Sequence, residues 1–161
     1  LSVFLCHKRV RFAHCDPGGI IFYPQYLMLA HEVKEDWLRD GLGYPLERSI
    51  DVDRKGLPVV RLEVDFCAPS RHGDELLFQV EVTQIGRTSL DATYTVFCGE
   101  ELRCRIRAVD VRTDLETGRP TPWEPELRAR LEAYLVSADD ADDGVPDDSV
   151  KDAPAEPEEG A

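Results

Sequence analysis

Asp16-Pro17-Gly18-Gly19-Ile20-Ile21-Phe22-Tyr23-Pro24-Gln25-Tyr26 is the stretch on which the fold of this chain turns. Asp-Pro-Gly-Gly is a turn sequence. Ile20 to Tyr23 then lead into Pro24, and proline is favoured at the first helical position, where its missing N–H is not needed. From Tyr26 the apolar residues Ala30, Val33 and Trp37 recur at spacings of four, three and four, joined by Leu27 and Leu38, which predicts a helix with one buried stripe. Gly41 and Gly43 supply its stop. Upstream, residues 7 to 14 alternate well enough to form a first strand. A carboxylate, a turn without side-chain bulk and a helix N-terminus therefore fall within a few residues of one another.

Residues 44 to 58 have no clear period and read as a long connection with a short helical turn. Four strand signals follow. Val60, Leu62, Val64, Phe66 and Ala68 alternate with polar neighbours, which is period two with one buried face. Leu76, Phe78, Val80 and Val82 repeat the pattern after a turn at Gly73 and Asp74, and so do Leu90, Ala92, Tyr94 and Val96. Leu102, Cys104, Ile106 and Ala108 form the fourth run. Asp114 to Pro122 is turn-rich, and Glu124 to Leu135 predicts a short closing helix. One strand, one long helix and four consecutive strands with hairpin-like links call for an α+β fold, an antiparallel sheet with a helix on one face. One helix covers only part of five strands, so an edge or face is left for a partner, and dimerisation is the economical solution.

The formal charge of the 161 residues is −13, but the ten acidic residues and one lysine from Ser137 onward carry −9 of it, leaving −4 for residues 1 to 136. Residues 1–136 are read as one domain and residues 137–161 as an acidic tail. The tail holds almost no large apolar side chains, so it cannot offset the entropy of ordering and is expected to be disordered, a solvating segment. The mildly acidic body excludes a wide nucleic-acid face, which needs clustered Lys and Arg in excess. No stretch has the length of a membrane span or the pattern of a secretory leader. The five cysteines (Cys6, Cys15, Cys67, Cys98, Cys104) are odd in number and contain no C-x-x-C pair, so neither a disulfide framework nor a metal site is expected. A cytoplasmic location fits these features.

The segment around Asp16 suits acyl transfer. Thioester hydrolysis needs a nucleophile or general base near the carbonyl carbon and donors where the oxygen gains charge. The first N–H groups of a helix are such donors, being unpaired and at the positive end of its dipole. Pro24 has no N–H, and a residue before proline is normally held out of the helical region, so the Tyr23 amide is the natural candidate. A thiol leaving group of pKa about 8.5 departs without strong acid help, so one carboxylate and an oxyanion hole suffice. No serine has a G-x-S-x-G context, which excludes the α/β-hydrolase solution. By spacing alone Asp16 reads first as an Asx-turn residue and only second as a catalyst. Cys15 reads as a structural thiol, His14 as a hydrogen-bonded filler at a strand end and His72 as a turn residue. Arg103, Arg105 and Arg107 share one strand face and read as a solvated row paired with carboxylates such as Asp91 or Glu63.

The run Asp16 to Tyr26 resembles the signature of the 4-hydroxybenzoyl-CoA thioesterase family of hotdog proteins: Asp, Pro, a small residue, Gly, two branched apolar residues, an aromatic pair, Pro and a Tyr two positions on. Looser likeness runs through residues 56–60, 70–75 and 86–89. The resemblance implies a hotdog fold, a five-stranded antiparallel sheet wrapped around a long central helix, with the active site at the interface of a homodimer or of a dimer of dimers (a homotetramer). It implies that Asp16 is the catalytic carboxylate, that the Tyr23 backbone amide polarises the thioester carbonyl, that Gly19 and Pro24 border the substrate and that Arg87 meets CoA phosphate groups. No metal or cofactor is implied, since coenzyme A is part of the substrate. The expected substrate is an aromatic acyl-CoA such as 4-hydroxybenzoyl-CoA or benzoyl-CoA. The alternatives are short- or medium-chain fatty acyl-CoA hydrolysis and, in another class, a hotdog that binds acyl-CoA without cleaving it. The dehydratase hotdogs use a helix His with an acidic residue, a role that His31 with Glu32 or Glu35 could imitate, though their His-Phe-Pro-like context is missing here.

Overall fold

The computed structural model describes residues 2–136, so the expectations for the acidic tail fall outside the described residues. The chain runs through β1 (Phe4–Arg9), a 3₁₀ turn (Phe12–His14), α1 (Pro24–Asp36) and a π turn (Trp37–Gly41) that prolongs it. After a second π turn (Arg48–Val52) come β2 (Lys55–Gly56), β3 (Val59–Phe66), β4 (Glu75–Ile85), β5 (Ser89–Cys98), β6 (Glu101–Val111), β7 (Thr113–Asp114) and α2 (Pro125–Glu132). Five strands make an antiparallel sheet in the order β1-β4-β5-β6-β3, and β2 pairs with β7 as a separate clip.

The period-two runs become the inner face of this sheet. Leu76, Phe78, Val80 and Val82 are fully buried, as are Leu90, Ala92, Tyr94, Val96, Cys104 and Ile106. They pack in one cluster with Tyr26, Leu29, Ala30, Val33 and Trp37, the stripe of α1. Each large apolar side chain so buried contributes on the order of 1.5–3 kcal/mol. One charged pair is carried inside: Lys34 of α1 bonds Asp110 of β6, and its Nζ also donates to the Leu57 carbonyl at 3.0 Å. Both side chains are buried. No helix among the described residues is long and apolar enough to cross a membrane.

Three sequence expectations are corrected. The first strand spans Phe4–Arg9 rather than residues 7–14. Val10 ends the pairing by exchanging backbone bonds with Gly73 and Asp74, and the Arg11 N–H then bonds His14 Nδ1 at 2.9 Å. That local side-chain acceptor displaces the ladder and closes a 3₁₀ turn. The link from β3 to β4 is not a hairpin, because β3 pairs with β6 at the far edge. Lastly, β3 does not bury one face: Val60 is 62% exposed, Leu62 42% and Phe66 52%. Its alternation is real, yet α1 reaches only part of its inner side and, among the described residues, no strand covers its outer edge.

Candidate active site

The turn at Asp16 folds back as a miniature ladder. The Phe22 N–H donates to the His14 carbonyl at 2.9 Å and the Asp16 N–H to the Ile20 carbonyl at 2.9 Å, with Cys15 opposite Ile21 between them. Gly19 closes the turn at φ +78°, a conformation that favours glycine. The ladder sets Asp16 on one arm and Phe22, immediately before Tyr23, on the other. Asp16 Oδ1 accepts the Gly18 N–H at 2.8 Å, so the Asx turn is present. It does not consume the carboxylate, because Oδ2 has no hydrogen-bond partner among the described residues. A Cβ at position 18 would stand 3.1 Å from Oδ1, so glycine there keeps the half-buried carboxylate unobstructed.

Tyr23 corrects the reading taken from the proline rule. It lies at φ −50°, ψ −37°, within the helical region. The Gln25 N–H bonds the Phe22 carbonyl at 2.8 Å and the Tyr26 N–H bonds the Tyr23 carbonyl at 3.3 Å, so the first turn is tight and of 3₁₀ type. These bonds hold Tyr23 helical against the preference imposed by Pro24. Its own N–H is consequently aligned with the start of the helix dipole and has no acceptor among the described residues. Its ring is exposed and makes an edge contact with Phe66 at 6.1 Å, while Tyr26 meets the same Phe66 at 5.9 Å. Phe66 belongs to the mouth of this site, a role that its place in an alternating strand did not disclose.

Beneath the loop lies a buried polar anchor. Tyr26 and Ser70 share a hydroxyl bond of 2.6 Å, and the Ile21 N–H donates to the Ser70 carbonyl at 2.8 Å. Arg103 Nη1 donates to Pro69 O at 2.6 Å, to Asp74 Oδ2 at 2.9 Å and to Ser70 Oγ at 3.4 Å. Burial alone would lower the Arg103 pKa, but the bond to Asp74 together with the nearby Cys98, Glu101 and Asp74 groups outweighs it and holds the guanidinium above its ordinary value. Arg103 thus leaves the solvated row assigned to it, whereas Arg107 does pair across strands, with Asp65 at 2.9 Å.

The remaining candidates separate. His14 accepts from the Arg11 N–H through Nδ1 and is a structural member of the loop. The Cys15 thiol faces the Arg11 carbonyl at 3.6 Å. His72 stacks edge-on against the exposed Phe12 at 5.9 Å. His31 pairs with Glu35 at 3.1 Å at the rim of the space between α1 and β3, and Glu32 pairs with Lys8 at 3.2 Å. Gly19 lies at the turn between Asp16 and Tyr23, and Pro24 directly follows Tyr23 at the first position of α1. Arg87 sits at the β4–β5 turn, where its carbonyl accepts the Trp123 N–H at 3.3 Å. The start of β4 adjoins Val10, and the strand's eleven residues carry the chain roughly 33 Å away. Arg87 and Asp16 of one chain therefore lie at opposite ends of the sheet. Among the described residues no cluster of three His, Cys, Asp or Glu is arranged to hold a metal ion.

Residues 10–131 match the profile of the thioesterase-like superfamily. A 1,4-dihydroxy-2-naphthoyl-CoA hydrolase of Synechocystis sp. is 27% identical over 133 residues, covering 79% of this chain and 96% of its own. The crystal structure of a 1,4-dihydroxy-2-naphthoyl-CoA thioesterase from Synechocystis superposes with a TM-score of 0.74 at 26% identity, over 81% of this chain and 96% of that one. A gentisyl-coenzyme A thioesterase superposes with a TM-score of 0.73 at 23% identity, over 80% and 99% of the two chains. The α+β architecture is accordingly the hotdog fold.

Proposed function

The chain belongs to the thioesterase-like superfamily and is a thioester hydrolase, and from that premise we propose that it cleaves aromatic acyl-CoA thioesters through Asp16 at the interface of a homodimer. The observation that carries the reading is the pairing of a carboxylate having one free oxygen with an unpaired N–H at a helix start, on the two arms of one short loop. Asp16 acts through Oδ2, either attacking the thioester carbon or taking a proton from the attacking water. Either route places a tetrahedral oxyanion where the Tyr23 N–H receives it at the positive end of α1; on the attack route collapse leaves an acyl–Asp16 anhydride that water then hydrolyses, and on the base route the acid is released directly. In both, collapse breaks the C–S bond, and coenzyme A leaves as a thiolate that needs little acid assistance.

The named relatives hydrolyse 1,4-dihydroxy-2-naphthoyl-CoA, and a structural neighbour takes gentisyl-CoA. They support a hydroxylated aryl group as the acyl moiety and do not single out 4-hydroxybenzoyl or benzoyl. The test is thiol release over a panel of hydroxynaphthoyl, gentisyl, 4-hydroxybenzoyl, benzoyl and medium-chain acyl-CoAs. Turnover of the hydroxylated aryl members supports the reading. Turnover of fatty acyl-CoAs alone, or binding without release, overturns it.

The exposed β3 edge supports the homodimer. Two copies joined antiparallel about the middle of β3 bring the Val59 end of one beside the Phe66 end of the other, and Phe66 adjoins Tyr23. The Val59 end is also where the β4–β5 turn lies, since Val59 pairs Asp110 and Ser89 pairs Val111. Three or four strand spacings, about 14–19 Å, then separate the Arg87 of one copy from the Phe66 end of the other, beside its Asp16 loop. Introducing Val60→Asp on this edge is expected to give monomers in sedimentation and to lower kcat/KM about a hundredfold, because the site is left incomplete. Arg87→Ala is expected to raise KM for acyl-CoA about tenfold with kcat unchanged, the loss of one charge-assisted contact to phosphate. An equal fall in kcat would remove Arg87 from CoA binding.

A further inference from the structure

Between α1 and the β3 edge lies a cavity of about 150 Å³ that the chemistry at Asp16 does not use. Leu27, Ala30, Ile106 and Ala108 supply apolar wall, and Val59 and Leu62 bring it to the edge strand. Apolar cavities of roughly 150 Å³ admit a benzene ring. The polar part of the lining is Tyr94, the buried Lys34–Asp110 pair and, at the exposed rim, His31 with its partner Glu35. Tyr94 is 3% exposed, and its hydroxyl has no hydrogen-bond partner among the described residues, although a buried tyrosine normally finds one. Burial, with the nearby Asp110 carboxylate adding to it, drives the Tyr94 pKa far up and keeps the hydroxyl protonated.

We propose that this cavity seats the acyl ring and that the Tyr94 hydroxyl, beside Asp110, selects a ring carrying a hydroxyl group. The inference rests on the aryl-CoA reading above, which it deepens. Lys34 and Asp110 balance one another, so the polar end favours a neutral group that can donate and accept over a carboxylate or an amine. The antiparallel β3 pairing brings the Tyr23 end of the second copy next to Val59 and Leu62, so the thioester held by one copy directs its ring into the cavity of the other. An aryl group without a hydroxyl would leave Tyr94 unpaired, and a site built around a polar partner discriminates against ligands lacking it.

The experiment compares hydroxylated and unsubstituted partners, 4-hydroxybenzoyl-CoA with benzoyl-CoA and 1,4-dihydroxy-2-naphthoyl-CoA with 2-naphthoyl-CoA, on the wild-type dimer and on Tyr94→Phe. The wild type is expected to favour the hydroxylated member about tenfold or more in kcat/KM. Tyr94→Phe keeps the ring and its packing. It is expected to lose about tenfold on the hydroxylated member while holding the unsubstituted one within about twofold. Equal losses on both members, or no loss on either, overturn the assignment while leaving aryl-CoA hydrolysis intact. A wild type that cleaves no aryl-CoA overturns the functional reading itself, and the assignment with it, before the variant is considered.

Discussion

Asp16→Asn is expected to lower kcat on a hydroxyaryl-CoA by about 10²–10⁴-fold, the range associated with removing a positioned proton-transfer group. Asparagine retains a carbonyl oxygen for the Gly18 N–H that bonds Asp16 Oδ1 at 2.8 Å, so the turn has no reason to open. What is lost is the charge and basicity of the second oxygen, on which both the attack and the proton-transfer routes depend. KM, thermal midpoint and oligomeric state are expected to stay near those of the wild type. Thiol release at the wild-type rate would exclude Asp16 from the chemistry, and a lowered midpoint would mean that the substitution had disturbed the loop.

Asp110→Ala is expected to destabilise the folded chain by about 3–5 kcal/mol, read by urea unfolding at fixed protomer concentration. The substitution strands the Lys34 ammonium in a buried site, where only the Leu57 carbonyl remains to receive it. Burial raises the Asp110 pKa, and the neighbouring Lys34 opposes that rise, so the carboxylate gains most of its standing from this one partner. Combining Lys34→Met with Asp110→Leu removes both charges and is expected to restore most of the lost stability, since buried pairs are often replaceable by packed apolar side chains. A double variant no more stable than Asp110→Ala would show that packing, rather than the stranded charge, sets the cost.

The two sites differ in how far the sequence discloses them. The Asp16 loop is local: turn residues, a helix-starting proline and an apolar stripe all fall within residues 16 to 37, and short-range rules read them. The same rules misjudge Tyr23, because the preference imposed by a following proline is overridden by two backbone bonds of the first turn. The inner faces of β4, β5 and β6 are legible from alternation. β3 carries the same alternation and stays exposed, because which strand becomes an edge depends on sheet order, and sheet order is not written in any one strand. Ser70 with Arg103 and Lys34 with Asp110 meet across 33 and 76 residues, and no spacing rule connects partners so far apart.

The position of the two tryptophans sets what optical probes can report. Trp37 is almost fully buried at the end of α1, edge-on to Tyr134, and its indole N–H has no partner among the described residues. Trp123 is buried beside the β4–β5 turn, its indole bonded to the Ser89 carbonyl at 3.2 Å. Both fluorophores stand away from the Asp16 loop of their own chain, in surroundings that shield them from water and favour short-wavelength emission. Intrinsic fluorescence therefore follows the loss of the core, and neither tryptophan directly reports on the Asp16 loop of its own chain. An unchanged emission spectrum in Asp16→Asn certifies the body of the protein, and the loop needs its own reporter, such as amide exchange at Gly18 and Gly19.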